Sequence, residues 1–340
     1  MDDVARLAGV SKQTVSRVLN EHPSVRAETR EAVLTAMRTL GYRPSRSARS
    51  LASGRTRMLG VISFDAARYG PASILTAINR AAQDSGYLVS AIALDTADHD
   101  TVVEAVDRLS AEGADGVIAI APQRWIGRAL ADTHLGTPLV VLENDLENGT
   151  PLVTADSRAG ARKATEHLLG LGHATVWHIA GPTGWTPADQ RTESWRQTLH
   201  EAGARAPEPL VGDWTADAGY ELGRVLSQRP DVTAVFVSND QMALGALHAF
   251  HEAGREVPGH VSVVGYDDIP EAAHFLPPLT TVRTDFAEIG RHALQLLLDR
   301  IADPVQKELE PVLESVPERA EHVVPVELVV RSSTGRPPRR

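Results

Sequence analysis

The chain contains no cysteine. That excludes disulfides, thiolate nucleophiles and Cys-ligated zinc. No apolar run approaches the roughly 18 residues that a bilayer-spanning helix needs, and the polar N-terminus lacks a signal-peptide pattern. Aromatic residues are scarce: five Trp, five Tyr and five Phe, 4% of 340 residues. A ring close to a motif therefore carries weight. Gly-x-Gly-x-x-Gly, P-loop, Gly-x-Ser-x-Gly and His-Glu-x-x-His patterns are all missing. His248 and His251 are three apart, with no third ligand at metal spacing, and the other histidines are scattered. No catalytic residue, metal site or cofactor is expected.

A net positive charge is missing as well, but only on average. The chain carries −10, while residues 1–55 hold ten Lys or Arg against five Asp or Glu. A basic head on an acidic body suits a phosphate-rich partner at one end, because attraction needs a local basic face and not a basic protein.

What is present begins at Val4. Val4 to Asn20 read Val-Ala-Arg-Leu-Ala-Gly-Val-Ser-Lys-Gln-Thr-Val-Ser-Arg-Val-Leu-Asn, two short amphipathic helices broken at Gly9. Val4, Leu7, Ala8, Val10, Val15, Val18 and Leu19 fall at helical spacing and are expected to close a small core. Ser11 can cap the second helix, and Asp2 or Asp3 the first. A third helix is expected over 27–40, with Ala32, Val33, Ala36 and Leu40 inward and Gly41 as its stop. This is the pattern of a helix-turn-helix, whose second helix enters the DNA major groove. Lys12, Gln13 and Arg17 would read bases, since Arg and Lys suit guanine and Gln suits adenine. Ser11, Thr14, Ser16 and Asn20 would hold phosphates, which fix register. The Ser/Arg-rich stretch 45–53 is too short to be a stable isolated helix. It is expected to order against DNA and its own copy, with Ala48 approaching the groove and Leu51 as an apolar wedge in a minor-groove step.

From Met58 the pattern changes. Apolar runs at 58–64, 88–94, 116–121, 138–142, 174–179, 234–237 and 261–265 alternate with amphipathic stretches at 71–85, 101–112, 158–170, 189–202, 216–228 and 240–253. Such alternation implies parallel sheets covered on both faces. Its length implies two doubly wound subdomains rather than one core. The expected organisation is a helix-turn-helix head at 1–44, a linker at 45–57 and an α/β body at 58–332. The body divides into an N-subdomain (58–155 and 284–303) and a C-subdomain (156–283 and 323–332), followed by a disordered tail, 333–340. A cleft between the subdomains, beyond the strand ends, is the expected small-molecule site.

Further motifs follow the head in order: Thr29-Arg30, Leu40-Gly-Tyr-x-Pro44, Ala48-x-x-Leu51, Gly172-His173 and Ile179-Ala-Gly-Pro182 with Arg191. Then come Asn239-Asp-Gln-Met-Ala-Leu-Gly245, Val263-Val-Gly-Tyr-Asp-Asp268 and Pro277-Pro-Leu-Thr-Thr-Val282. The set resembles the LacI-type bacterial transcriptional regulators over nearly the whole chain. The resemblance implies a body similar to a type I periplasmic sugar-binding protein. It implies that Arg191, Asn239 and Asp267 bind an effector, with Trp185, Trp214 and Phe286 as rings around it. Phe64, Tyr69, Pro71 and Ile74 would form the N-subdomain wall. Glu143, ending a strand on the cleft side, is a further candidate. Asp240 is expected to cap the following helix, Asp268 to brace a turn and Trp195 to pack inside.

The function implied is a cytoplasmic, nucleoid-associated repressor of sugar-utilisation genes. A homodimer would bind a pseudo-palindromic operator, and a small sugar would modulate its affinity. Two other readings share the body: a corepressor-dependent regulator sensing a non-sugar metabolite, and a solute-binding protein. The last would need a signal peptide and would lack residues 1–56.

Overall fold

The structure is a computed structural model. It describes residues 1–19, 22, 24–42, 55–94, 99–131, 137–145, 151–302 and 321–338. Asn20, Ala48 and Leu51 lie outside the described residues, and so does the linker reading that rests on 45–53. The chain divides into two units, Met1–Arg57 and Met58–Arg340.

The first unit holds helices α1 (Asp2–Ala8), α2 (Lys12–Leu19) and α3 (Ala27–Thr39). α1 stops at Gly9, whose φ of 67° lets the Val10 N–H reach back to the Ala5 carbonyl at 3.0 Å. A residue without Cβ takes this left-handed turn at no steric cost. Ser11 Oγ then accepts the Thr14 N–H at 3.1 Å, satisfying a donor that the first turn of α2 would leave orphaned. Val4, Ala5, Val15, Val18, Val33, Ala36 and Met37 form the core. Leu7 is 54% exposed, and Ala32 and Leu40 also face outward. The reason is width: three short helices enclose one narrow stripe each, and these residues sit on its flanks or past the helix end. Asp2 and Asp3 do not cap α1. They lie inside its first turn, paired with Lys12 and Arg6, where acids still suit the helix dipole.

The body alternates strands and helices: β1 (Met58–Phe64), α4 (Tyr69–Asp84), β2 (Leu88–Leu94), α5 (His99–Ala111), β3 (Gly116–Ile120), α6 (Arg124–Ala131), β4 (Leu139–Leu142) and β5 (Leu152–Ala155). It continues through α7 (Ser157–Gly170), β6 (Trp177–Ala180), α8 (Thr186–Glu201), β7 (Leu210–Val211), α9 (Ala216–Ser227), β8 (Ala234–Val237), α10 (Asp240–Glu252), β9 (Ser262–Asp267) and β10 (Thr280–Thr284). Last come α11 (Phe286–Ala302), β11 (Glu321–Val324) and β12 (Val326–Val329). Two six-stranded sheets result, ordered β11-β5-β4-β3-β1-β2 and β12-β10-β9-β8-β6-β7. The strand pairs are parallel except β10 with β12. Central strands such as β3 and β8 are buried at every residue, as a sheet covered on both faces requires.

The chain passes between the sheets three times, at Asp156, Asp285 and Pro325. The Asp156 N–H donates to the Val324 carbonyl at 2.9 Å, tying two of these crossovers together. β11 belongs to the first sheet, so residues 323–324 are part of the N-subdomain and not of the C-subdomain expected for them. The tail also departs from expectation. Ser333 is buried, its Oγ donating to the Val263 carbonyl at 2.6 Å and accepting the Thr280 N–H at 2.8 Å. Thr334 and Gly335 bond to His167 and His173. Residues 333–335 are held by polar pairing along β9 and β10, which an apolar-pattern reading does not register. Among the described residues, no helix is long and apolar enough to cross a membrane.

Candidate functional site

Between the carboxyl ends of the two sheets lies a cavity of about 240 Å³. The first sheet's side contributes Tyr69, Pro71 and Ile74 from the start of α4, Ile120 ending β3, Pro122 after it, Glu143 after β4, and Phe286 opening α11. The second contributes Trp185, Arg191, Trp214, Asn239 and Asp267. Four of the chain's few rings meet here as two edge-on pairs. Tyr69 and Phe286 have centroids 5.7 Å apart, Trp185 and Trp214 5.6 Å. Backbone bonds join the rims: the Arg124 N–H donates to the Gly184 carbonyl at 2.9 Å, and the Thr186 N–H to Pro122 at 2.8 Å.

Arg191 is only 6% exposed. Its guanidinium donates to the Ser238 carbonyl at 2.6 Å, lies 3.9 Å from Asp267 Oδ1 and sits 3.6 Å above the Tyr266 ring. The buried Nε of Arg191 and Nε1 of Trp214 have no hydrogen-bond partner among the described residues. Burial pushes Asp267 up to about 7 against the pull of Arg191. Burial likewise pushes Glu143 up to about 7; its bond from the Ala155 N–H and the Arg191 charge pull down, and Asp267 pushes up. A cationic fork thus stands among acids that titrate close to neutrality. Three cleft residues, Glu143 (φ 58°), Trp214 (φ 75°) and Asp267 (φ 103°), take left-handed backbone. Each such residue costs on the order of 1–3 kcal/mol, and strain of this kind gathers at functional sites.

Local sequence explains how the polar side is held. Asn239 caps α10, accepting the Met242 N–H at 3.0 Å, while its Nδ2 donates to the Trp214 carbonyl and to Gln241. Its amide therefore fixes two cleft segments. Gly219 and Gly245 let α9 and α10 approach until their backbones touch, which sets both helix starts beside the cleft. Asp240 does not cap α10. It is buried, accepting the Ile269 N–H at 2.9 Å and the Thr281 hydroxyl at 2.6 Å. Asp268 is clamped by Arg283 and Arg331 at 2.7 and 2.6 Å.

In the first unit, α2 turns Val15 and Val18 inward and leaves Ser11, Lys12, Gln13 and Arg17 exposed, with Thr14 and Ser16 half-buried. Lys12 is paired with Asp2.

Residues 1–45 match the bacterial regulatory proteins of the lacI family, and residues 165–334 match a periplasmic binding protein-like domain. The lactose operon repressor of Escherichia coli (strain K12) is 34% identical over 98% of this chain and 90% of its own length. The chain belongs to the LacI family. A solved structure of the lac repressor dimer bound to operator and the anti-inducer ONPF is 32% identical and superposes with a TM-score of 0.86, covering 98% of each chain. A complex of the transcriptional regulator CelR with cellobiose is 32% identical, with a TM-score of 0.71 over 98% of each chain. These relatives are transcriptional regulators and not enzymes. As a member of the LacI family, this chain is a DNA-binding regulatory protein: a helix-turn-helix head followed by a two-sheet body.

Of the residues singled out for this LacI-family body, Tyr69, Pro71, Ile74, Trp185, Arg191, Trp214, Asn239, Asp267 and Phe286 line one cavity, and Glu143 joins them. Phe64 does not. It is 2% exposed and packs with Ile62, Val102 and Val106 on the far face of the first sheet. Strand alternation decides this: Val61 shares a face with Ile74, so Ile62 and Phe64 point the other way. Arg68, Thr215 and Gln241 also line the cleft without having been site candidates, Gln241 lying inside the Asn239–Gly245 motif and the other two outside every motif. Arg68 precedes α4, and Thr215 caps α9, which is the one local signal among the three.

Proposed function

We propose that this LacI-family chain is a cytoplasmic transcriptional repressor of sugar-utilisation genes, with operator affinity set by a small sugar in the cleft. The observation that carries the sugar reading is the buried Arg191 guanidinium beside Asp267, faced by two edge-on aromatic pairs. A planar fork of donors and a carboxylate suit adjacent hydroxyls, and ring faces suit the C–H faces of a sugar. The unpartnered Arg191 Nε and Trp214 Nε1 are donors such a ligand completes. Two relatives support the reading, since one is the lactose operon repressor and the other is described with cellobiose.

At the other end, Lys12, Gln13 and Arg17 read bases, while Ser11, Thr14, Ser16 and Asn20 hold phosphates. Ala48 and Leu51 enter the minor groove. The protein acts as a homodimer on a pseudo-palindromic operator, since half-site symmetry mirrors protein symmetry. Leu276, 92% exposed, and Leu244, 44% exposed, are apolar anchors for the second copy. No sugar is turned over, and no cofactor takes part.

The test is a selection of one duplex from a random pool, followed by operator binding with mono- and disaccharides added in turn. A sugar that raises the thermal midpoint of the protein and changes operator affinity is expected. By linkage, operator must change sugar affinity by the same factor. Arg17→Ala should flatten discrimination between operator and random duplex. Equal affinity for every duplex, with and without every sugar, would sink the reading.

A further inference from the structure

Outside the cleft, three side chains converge that the proposed function does not use. Glu288 and His292 stand four apart on α11, which puts them on one helix face. His322, on β11, meets that face: its ring stacks on His292 with centroids 3.6 Å apart. His292 Nε2 lies 3.4 Å from Glu288 Oε1. One ligand atom from each of the three lies within 4.8 Å of the others.

Two ligands on one tetrahedral zinc ion sit roughly 3.3 Å apart, given zinc–nitrogen lengths of about 2.0–2.1 Å. The Glu288–His292 pair already has that spacing, and a ligand atom of His322 lies within 4.8 Å of both. We propose that Glu288, His292 and His322 form a site for a divalent transition-metal ion of the zinc type. Two imidazoles and one carboxylate select that class, whereas calcium and magnesium take oxygen ligands. Three protein ligands leave further positions for water.

The placement gives such an ion a consequence. α11 begins directly after the crossover at Asp285, and β11 ends directly before the crossover at Pro325. An ion held by both elements joins the first-sheet ends of two of the three connections between the subdomains.

The experiment uses untagged full-length protein stripped with a chelator. Zinc chloride is titrated in by calorimetry, and cobalt(II) serves as a visible-absorption probe of coordination. One ion per chain is expected, with a zinc-dependent rise in thermal midpoint. His322→Ala and His292→Ala should each weaken binding by more than the roughly 10–100-fold that loss of an outer-shell partner costs. Glu288→Gln, which keeps shape and removes charge, should also weaken it and serves if an alanine variant fails to fold. A His248→Ala/His251→Ala variant should bind as wild type does. No stoichiometric zinc, undiminished binding in His322→Ala and Glu288→Gln, or loss of binding in the His248/His251 variant would each overturn the site.

Discussion

The wall that the first sheet gives to the cleft is shaped by Tyr69, Pro71, Ile74, Ile120 and Phe286, with Glu143 as its buried acid, whereas the second sheet's wall carries Arg191, Asn239 and Asp267. One wall works by shape and apolar contact. The other adds charge and direction to its Trp185–Trp214 pair, and its polar residues are locked into the fold: Arg191 on Ser238, Asn239 on Met242 and Trp214. The difference teaches that the two walls fail differently. A change on the polar side disturbs folding and recognition together, because a buried charge without its partner is costly. A change on the apolar side mostly loosens the ligand.

The largest test of that contrast is Arg191→Ala. It removes the cation facing Asp267 and leaves the Ser238 carbonyl without its donor. Breaking a buried pair costs about 3–5 kcal/mol, so urea unfolding should show a loss of that order together with loss of the sugar response. Arg191→Lys should fold better and still respond poorly, because an ammonium lacks the planar fork. An Arg191→Ala protein as stable as wild type would erase the distinction between the walls.

A second test is pH. Asp267 and Glu143 are both raised to about 7, first by burial. The folded state thus holds protons that the unfolded state releases at lower pH. Their contribution is complete below the ordinary carboxylate range and is lost as pH rises through about 7. Between pH 5 and 8 the ligand-free protein should lose stability, each acid contributing at most about 1.4 kcal/mol per pH unit. Asp267→Asn should flatten that slope. An unchanged slope in the variant would remove the buried acid from the polar wall's account.

The smallest expected effect lies on the apolar wall. Edge-on ring pairs contribute about 0.5–1.5 kcal/mol beyond burial. Tyr69→Ala should therefore weaken sugar binding while moving the unfolding midpoint only slightly. A loss of stability matching that of Arg191→Ala would show that both walls are structural in the same sense.

Much of this was legible residue by residue. Gly9 and Ser11 announce the turn between α1 and α2 because their effects reach only three or four residues. The runs at 58–64 and 234–237 coincide with β1 and β8 because strands buried on both faces read as near-continuous apolar stretches; the run at 88–94 coincides with β2 although that edge strand is largely exposed. Asn239 and Arg191 were visible through motifs, but not what each does: Asn239 is a cap and tether, and Asp240 braces Ile269 and Thr281 instead of capping. The family resemblance places Phe64 at the cleft, whereas pleat parity along β1 turns it to the opposite face from Val61. The polar tail carries no apolar signal, and Ser333 and Gly335 are held instead by partners on β9 and β10 that lie far away in the sequence.

By itself, then, the sequence determined the two-part plan, a basic three-helix head ahead of alternating strands and helices, since periodicity, caps and charge are local properties of a chain. Tertiary structure alone decided that Arg68 lines the cleft while Phe64 turns away from it, that residues 333–335 pair with β9 and β10, and that His322 meets His292. Those meetings depend on strand order and on three crossings between sheets, which bring together residues as distant in the chain as Tyr69 and Phe286.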